Sequence, residues 1–367
     1  MKTIPDEIRT WQMVQPWRKE GDKVIPGKIE RKTIDMPSLN QGEVMVEIAG
    51  CGVCHTDLGY FYDGVPTVQK PPLTLGHEIS GKIIAGEETL LGKEIIVPAV
   101  MPCNNCPICD AGRNNRCLNQ KMPGNSLGIY GGFSSHIVVP GADVCVIKDR
   151  GSIPLAHLAV IADAISTPYQ AAIRADLKPG DLCLVIGTGG GVGCYMTQMC
   201  RAFGAKAVIG LDVAEEKLQR ALEFGATHVI NADKKGAKDI REEFKTLCKT
   251  NQMPSNYEWK IFECTGTRTG QEIGLELLSF IGKLIIIGYG MGKVEYMVSR
   301  LMAFDAEIIG TWSCLPQYYP KVLEMVVNGK IEIGPFVETR PMSQINEVFE
   351  EIHTKPLMKR IVLTPDF

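Results

Sequence analysis

No stretch of this chain approaches the roughly 18 consecutive apolar residues that mark a bilayer-spanning helix, so no transmembrane segment is expected. The first 13 residues carry Asp6, Glu7 and Arg9 and lack an apolar centre. A secretory signal is therefore not expected, and a cytoplasmic protein is the default reading. An excess of one charge is also missing. Thirty-nine basic and 42 acidic residues leave a formal net charge of −3, which weighs against nucleic acid as the main partner. Internal repeats and low-complexity tracts are absent as well. What remains is a globular composition, 45% hydrophobic and 22% charged, too apolar for a disordered chain. A length of 367 residues suggests about two domains.

Cysteine is the residue in excess. Thirteen is an odd number, so complete internal pairing is impossible. In a chain large enough to bury its own core, clustered cysteines favour metal over disulfides. Cys103, Cys106, Cys109 and Cys117 form C-x2-C-x2-C-x7-C among turn-forming residues. Four thiolates from one short loop can close a tetrahedral shell around Zn2+, leaving no open position, as in a structural site. An iron–sulfur cluster would suit the same spacing. A second group joins Gly50-Cys51-Gly52-Val53-Cys54-His55-Thr56-Asp57 to Gly76-His77-Glu78. Cysteine, histidine and carboxylate are the ligand types of an open, catalytic zinc site, with Cys51 or Cys54 as the thiolate. Cys145, Cys183, Cys194, Cys200, Cys248, Cys264 and Cys314 sit in apolar stretches and are expected to be buried without ligands.

The chain changes character near residue 165. Before it, short β-rich pieces at 44–48, 83–84, 94–97 and 136–139 alternate with Gly/Pro turns, the pattern of a barrel-like β domain. After it, apolar strands at 183–186, 207–211, 228–230, 260–263 and 284–287 alternate with helical patterns. One helix is expected over 193–203, and one over 214–224 with Leu218, Ala221 and Leu222 inward. That alternation predicts a parallel sheet covered on both faces. The first of these strands runs into Gly187-Thr188-Gly189-Gly190-Gly191-Val192-Gly193 and then a helix. Glycines there let the backbone approach a pyrophosphate, which the helix N-terminus favours. Asp212 ends the next strand, where a carboxylate accepts from ribose hydroxyls and repels a 2′-phosphate, favouring NAD. Val192 stands where the third glycine of G-x-G-x-x-G would fall, as if one glycine were inserted.

In this order, Gly52 to Asp57, Gly76-His77-Glu78, the four-cysteine loop, the glycine-rich turn with Asp212, and Gly282 to Gly290 resemble the zinc-dependent medium-chain alcohol dehydrogenases. The likeness covers nearly the whole chain. It implies an α/β protein with a GroES-like β-barrel catalytic domain over 1–164. A Rossmann doubly wound parallel sheet would follow over 165–309, with a return to the catalytic domain over 310–367. It also implies NAD and two zinc ions per chain, one catalytic and one structural. Cys54, His77 and Asp163 become catalytic-zinc ligands, with Glu78 as a neighbouring or exchanging ligand and Asp57 orienting His77. Thr56 would bond the substrate oxygen, and His55 would lie near the pyrophosphate. Gly187, Gly189, Gly190, Gly191, Val192, Gly193, Asp212, Lys217 and Thr167 are the implied cofactor contacts.

Two positions depart from many relatives. Asp163 replaces a cysteine, and Gly59 replaces a histidine that ends a proton relay, so the relay is truncated or rerouted, with Tyr60 or Tyr62 as substitutes. Zinc-free quinone and enoyl reductases share the fold but lack both metal motifs. A zinc-binding interaction module would account for the four cysteines but not for the glycine-rich turn. Within the family, Thr10 to Pro16, Pro71 to Ile79, Gln120 to Ser126 and Ser299 to Glu307 resemble dehydrogenases of anaerobic benzoyl-CoA degradation. That implies a small-molecule substrate, a cyclic allylic alcohol carried as a CoA thioester. The product would be an enone, to which hydride could add in conjugate fashion in the reverse direction. A homo-oligomer, dimer or tetramer, is implied by the family, with neither membrane nor nucleic acid as partner.

Overall fold

The computed structural model describes residues 4–367 apart from Asp22 and Pro356. Two compact units divide the chain. One holds 1–166, 313–328 and 333–367, the other 167–312 and 329–332.

The first unit is built around strand Glu43–Gly52. It pairs antiparallel with Glu78–Ala85, His136–Pro140 and Arg360–Thr364. Glu78–Ala85 passes the ladder on to Glu94–Val97 and then Cys145–Val146, and Arg360–Thr364 pairs in parallel with Val337–Pro341. A smaller sheet joins Lys28–Asp35, Glu7–Gln15 and Leu73–Thr74. The central strand is apolar on both faces because both are covered. Val44, Val46 and Ile48 pack into a core with Ile79, Ile83, Phe133, Ile137 and Phe349, while Met45 packs outward with Ala85 and Val138.

The second unit is a six-stranded parallel sheet. Its order is His228–Asn231, Ala207–Asp212, Leu182–Ile186, Trp259–Glu263, Lys283–Ile286 and Glu307–Gly310. The chain order along the sheet is 3-2-1-4-5-6, the doubly wound dinucleotide-binding arrangement. The direction of winding reverses between Leu182–Ile186 and Trp259–Glu263, and ligands of such sheets bind in the crevice beyond the carboxyl ends of those strands. Helix Gly193–Ala202 buries Met196, Met199 and Cys200 and stops before Gly204, whose φ of 87° is left-handed.

Helix Glu215–Glu223 buries Leu218 and Ala221, but Leu222 is 39% exposed. The expectation that it points inward was wrong. In this nine-residue helix the buried stripe is narrow, and Leu222 falls on its margin. Cys264, expected to be buried, is half-buried, since it begins the loop that leaves the sheet after Glu263; Cys145, Cys183, Cys194, Cys200, Cys248 and Cys314 are buried as expected, and so is Cys51. None of the thirteen cysteines is paired in a disulfide. Among the described residues, no helix is long and apolar enough to cross a membrane.

Candidate active site

The four-cysteine loop is a compact knot of turns. Pro107 opens the one-turn helix Pro107–Asp110, and Asn114–Arg116 forms a 3-10 turn. The Sγ atoms meet at 3.4 Å (Cys103 and Cys117), 3.5 Å (Cys106 and Cys109) and 3.8 Å (Cys106 and Cys117). Four sulfurs each ~2.3 Å from one tetrahedral ion would stand about 3.8 Å apart, so the spacing fits Zn2+. Backbone N–H groups of Cys103 and Asn119 donate to the Cys117 sulfur, each at 3.2 Å. N–H groups of Leu118 and Cys109 lower the Cys106 thiol to about 6, while burial raises Cys117 to about 12. Donors aimed at sulfur and close-set thiols describe a loop shaped for thiolates.

Cys54, His77, Glu78 and Asp163 form the second cluster, with one potential ligand atom from each lying within 4.8 Å of the others. Asp163 Oδ2 is the shared point, 3.8 Å from Cys54 Sγ and 3.5 Å from His77 Nε2. Around one tetrahedral Zn2+, sulfur–oxygen and nitrogen–oxygen separations would be about 3.4–3.6 Å. His77 is buried, and neither ring nitrogen makes a well-formed hydrogen bond. Burial opposes a proton on this imidazole, but the charge of Asp57, and then the polar contacts with Asp163, Asp57 and Cys54, outweigh burial and raise its pKa well above the usual value. A cation among these groups would answer both the buried negative charge and the unbonded ring nitrogen. Cys51 lies elsewhere, its buried sulfur packed against Gly76 and Gly132.

The backbone carries these side chains on firm supports. Cys54 caps helix His55–Phe61, and the buried Asp57 carboxylate accepts from Cys54 N and from Gly76 N, each at 3.0 Å. Asp57 thus ties together the two segments that bear Cys54 and His77. Its contact with His77 Nδ1 is 3.4 Å without hydrogen-bond geometry, so it fixes backbone more directly than it orients the ring. Thr56 Oγ1 is 3.6 Å from the Cys54 sulfur. His55 is exposed on the first turn of the same helix. The buried Tyr60 hydroxyl accepts from Asn125 Nδ2 at 2.5 Å, and the Tyr62 ring stacks on His353.

The glycine-rich turn lies in the second unit. Gly187 has φ 81°, and a Cβ on Gly193 would overlap the Gly187 carbonyl oxygen. Gly193, rather than position 192, is therefore the glycine required where helix and strand meet. Gly189 lies under the Lys217 stem, where a Cβ would clash. Thr188 and Thr197 hydroxyls meet at 2.5 Å and lock the turn to its helix. Asp212 Oδ2 accepts from Gly189 N at 2.8 Å, and Oδ1 accepts from Val213 N and Ala214 N. A carboxylate has about four acceptor sites, so one is left for a ribose hydroxyl. Thr167 is buried near the start of helix Ser166–Arg174.

Two family models match this chain. An alcohol dehydrogenase GroES-like domain covers residues 40–149, and a zinc-binding dehydrogenase domain covers 191–328. The chain belongs to the zinc-binding alcohol dehydrogenase family. It is accordingly an oxidoreductase acting on CH–OH groups. An NAD-dependent alcohol dehydrogenase of Sulfolobus acidocaldarius is 26% identical over 342 residues, 90% of this chain and 94% of the relative. A sorbitol dehydrogenase of Bacillus subtilis is 28% identical over 312 residues, 83% and 84% of the two chains. The crystal structure of the alcohol dehydrogenase of Aeropyrum pernix superposes with a TM-score of 0.82 at 28% identity, covering 97% of this chain and all of that one.

This dehydrogenase also has site residues that its sequence did not reveal. Arg360 is buried and grips Glu78 with two hydrogen bonds, Nε to Oε2 at 2.7 Å and Nη2 to Oε1 at 2.5 Å. Glu78 Oε1 also accepts from Ala164 N at 3.1 Å. Burial raises the Glu78 carboxyl, and Arg360 pulls it back only in part. In the other unit, buried Glu263 accepts from Thr265 N and Oγ1 and from Gly266 N, and Thr265 packs on Gly187. Glu263 bonds its own following turn, two and three residues on, whereas Arg360 reaches Glu78 across 282 residues through chain folding alone.

Proposed function

We propose that this chain oxidises a secondary alcohol with NAD+ at a zinc held by Cys54, His77 and Asp163, and that the carbinol is part of a ring carried as a CoA thioester. The convergence of Cys54 Sγ and His77 Nε2 on Asp163 Oδ2 carries the first part of this reading. Three protein ligands of mixed type leave a fourth position for substrate, as catalytic zinc requires. Glu78 stands beside that set, and the four cysteines would hold a second, structural zinc. Zinc bound there supplies Lewis acidity toward the alcohol, and NAD+ supplies the hydride acceptor.

The remaining work falls to side chains of this chain. Thr56 Oγ1, beside the Cys54 sulfur, relays the proton of the substrate hydroxyl, accepting it as it gives its own hydroxyl proton on toward solvent. Asp57 keeps the Cys54 and His77 segments in register through two backbone donors. Gly187, Gly189, Gly190, Gly191, Val192 and Gly193 form the cradle for the pyrophosphate. Asp212 takes the ribose hydroxyl and selects NAD over NADP. A homo-oligomer joined through the coenzyme-binding unit fits the exposed Met291, Met297, Val298 and Met302 there.

The finer substrate, 6-hydroxycyclohex-1-ene-1-carbonyl-CoA, is supported by the four matching stretches named above. Its test is a panel of that thioester, its free acid, simple secondary alcohols and sorbitol, read by NADH absorbance on wild-type enzyme and on Cys54→Ala and His77→Ala. Each variant is expected to lose one zinc per chain and turnover, and the thioester to give the highest kcat/KM. Equal use of sorbitol would remove the CoA reading and leave a general secondary alcohol dehydrogenase. Full activity and zinc in both variants would remove the site itself.

A further inference from the structure

Asp163 has no regular element to hold it. It follows the 3-10 segment Leu155–Ala162 with φ −141° and ψ −56°, outside the helical ladder. Its side chain is short, so the carboxylate goes where the backbone puts it. The two peptide groups on either side of Asp163 are therefore the places where its position can be set.

Both are held. The Ala162 carbonyl accepts from the Tyr319 hydroxyl at 2.6 Å and from Ser166 Oγ at 3.1 Å. The Ala164 N–H donates to Glu78 Oε1 at 3.1 Å. Tyr319 is fully buried and opens helix Tyr319–Val327, distant in sequence but packed within the same unit. Its oxygen also accepts from Ala99 N at 3.1 Å, just after strand Glu94–Val97. One phenol thus bridges the backbone beside Asp163 to the barrel wall, using its donor and an acceptor in separate bonds.

A tyrosine spent on two buried backbone groups needs a reason. Phenylalanine would fill the same volume without a polar atom to satisfy. The hydroxyl adds a fixed distance between residues 162 and 99, and that distance locates the Asp163 turn relative to Cys54 and His77. Ser166, also buried, supplies a second donor to the same carbonyl. Metal ligands depend on such outer partners for their orientation.

We propose that Tyr319, assisted by Ser166, is a positioning residue for Asp163, holding its carboxylate in the ligand constellation through the Ala162 carbonyl. This rests on the reading of Cys54, His77 and Asp163 as zinc ligands. The test uses zinc-loaded holoenzyme and a chromogenic chelator, which follows release of each ion over time. Tyr319→Phe removes one oxygen and is expected to release one of the two ions about tenfold faster, with the other unchanged. In cobalt-substituted enzyme the visible bands of the faster site shift. Val326→Ala, on the same helix and also buried, costs packing without touching Ala162 and should leave both release rates alone. If Tyr319→Phe does not accumulate as folded protein, Ser166→Ala carries the same expectation at the same carbonyl. Release at the wild-type rate from Tyr319→Phe, or equal acceleration in Val326→Ala, overturns the proposal. Asp163→Ala separates the two levels. Loss of one ion in that variant with normal release from Tyr319→Phe removes the positioning role alone. Retention of both ions in Asp163→Ala removes the ligand reading beneath it.

Discussion

Arg360→Leu removes one half of a buried ion pair whose side chains are 5% (Arg360) and 0% (Glu78) exposed. In the native protein Glu78 accepts two bonds from the guanidinium and one from Ala164 N. The variant leaves a fully buried carboxylate with one backbone donor. Removing one partner of a buried pair costs about 3–5 kcal/mol, because the other charge stays desolvated. For a cooperative unit of ~150–250 residues that corresponds to a melting temperature lower by about 6–20 °C. The pH dependence has a definite sign. Burial already raises the Glu78 carboxyl above its ordinary value of 4.5, and losing Arg360 raises it further. The folded variant then binds a proton that the unfolded chain has released, so its stability falls as pH rises from about 5 toward the raised pKa. The deficit against wild type is expected to be smallest near pH 5 and largest at pH 7–8. Glu78→Leu with Arg360→Leu removes the stranded charge and should recover most of the loss. Thermal melts of wild type, single and double variants at pH 5, 6, 7 and 8 measure all of this. An Arg360→Leu melt within 2 °C of wild type at pH 7–8 would refute the reasoning, as would a double variant no more stable than the single.

Two further outcomes concern the cofactor cradle. Asp212→Ala removes the acceptor that holds Gly189 N and the one site open to a ribose hydroxyl. NADH is expected to bind ~10–100-fold more weakly, with the preference over NADPH relaxed, in a fluorescence titration; an undiminished preference would place the selectivity elsewhere. Gly193→Ala puts a methyl group on the Gly187 carbonyl oxygen and should cut NADH affinity at least ~100-fold while zinc content stays at the wild-type value. Unchanged affinity would show that this turn does not carry the cofactor.

The parts of the site that could be read in the sequence are those whose partners are neighbours along the chain. Cys103 to Cys117 bring all four thiols within one loop, and the strand, glycine turn and helix at 182–202 form one continuous unit. Spacing alone suffices there, because local backbone geometry sets the distances. Asp163 was reachable through family resemblance, since nothing in its immediate surroundings marks it. Tyr319 and Arg360 had no signal. Their partners lie 157 and 282 residues away; helix Tyr319–Val327 packing on the segment Leu155–Ala162 brings the first pair together, and strand pairing through Glu43–Gly52 the second. Leu222 failed for a related reason: a 3.6-residue period says which side chains share a face, but not how wide a stripe the neighbouring sheet covers.

Gly52 shows how such a long-range contact can still mark a single residue. In the ladder it stands opposite Glu78 on one side and Val362 on the other. A Cβ at position 52 would overlap Glu78 Oε2, the oxygen that receives Arg360 Nε. The space over this glycine is thus the path by which the Glu78 carboxylate crosses the central strand to reach Arg360. Gly52 ends the strand two residues before Cys54, so the strand that leads to a candidate ligand also leaves room for the buried pair behind it. A larger residue would have to displace the carboxylate that holds Ala164, and with it the turn that carries Asp163. The glycine beside Cys54 and the arginine near the end of the chain are therefore one requirement, expressed at two places in the sequence.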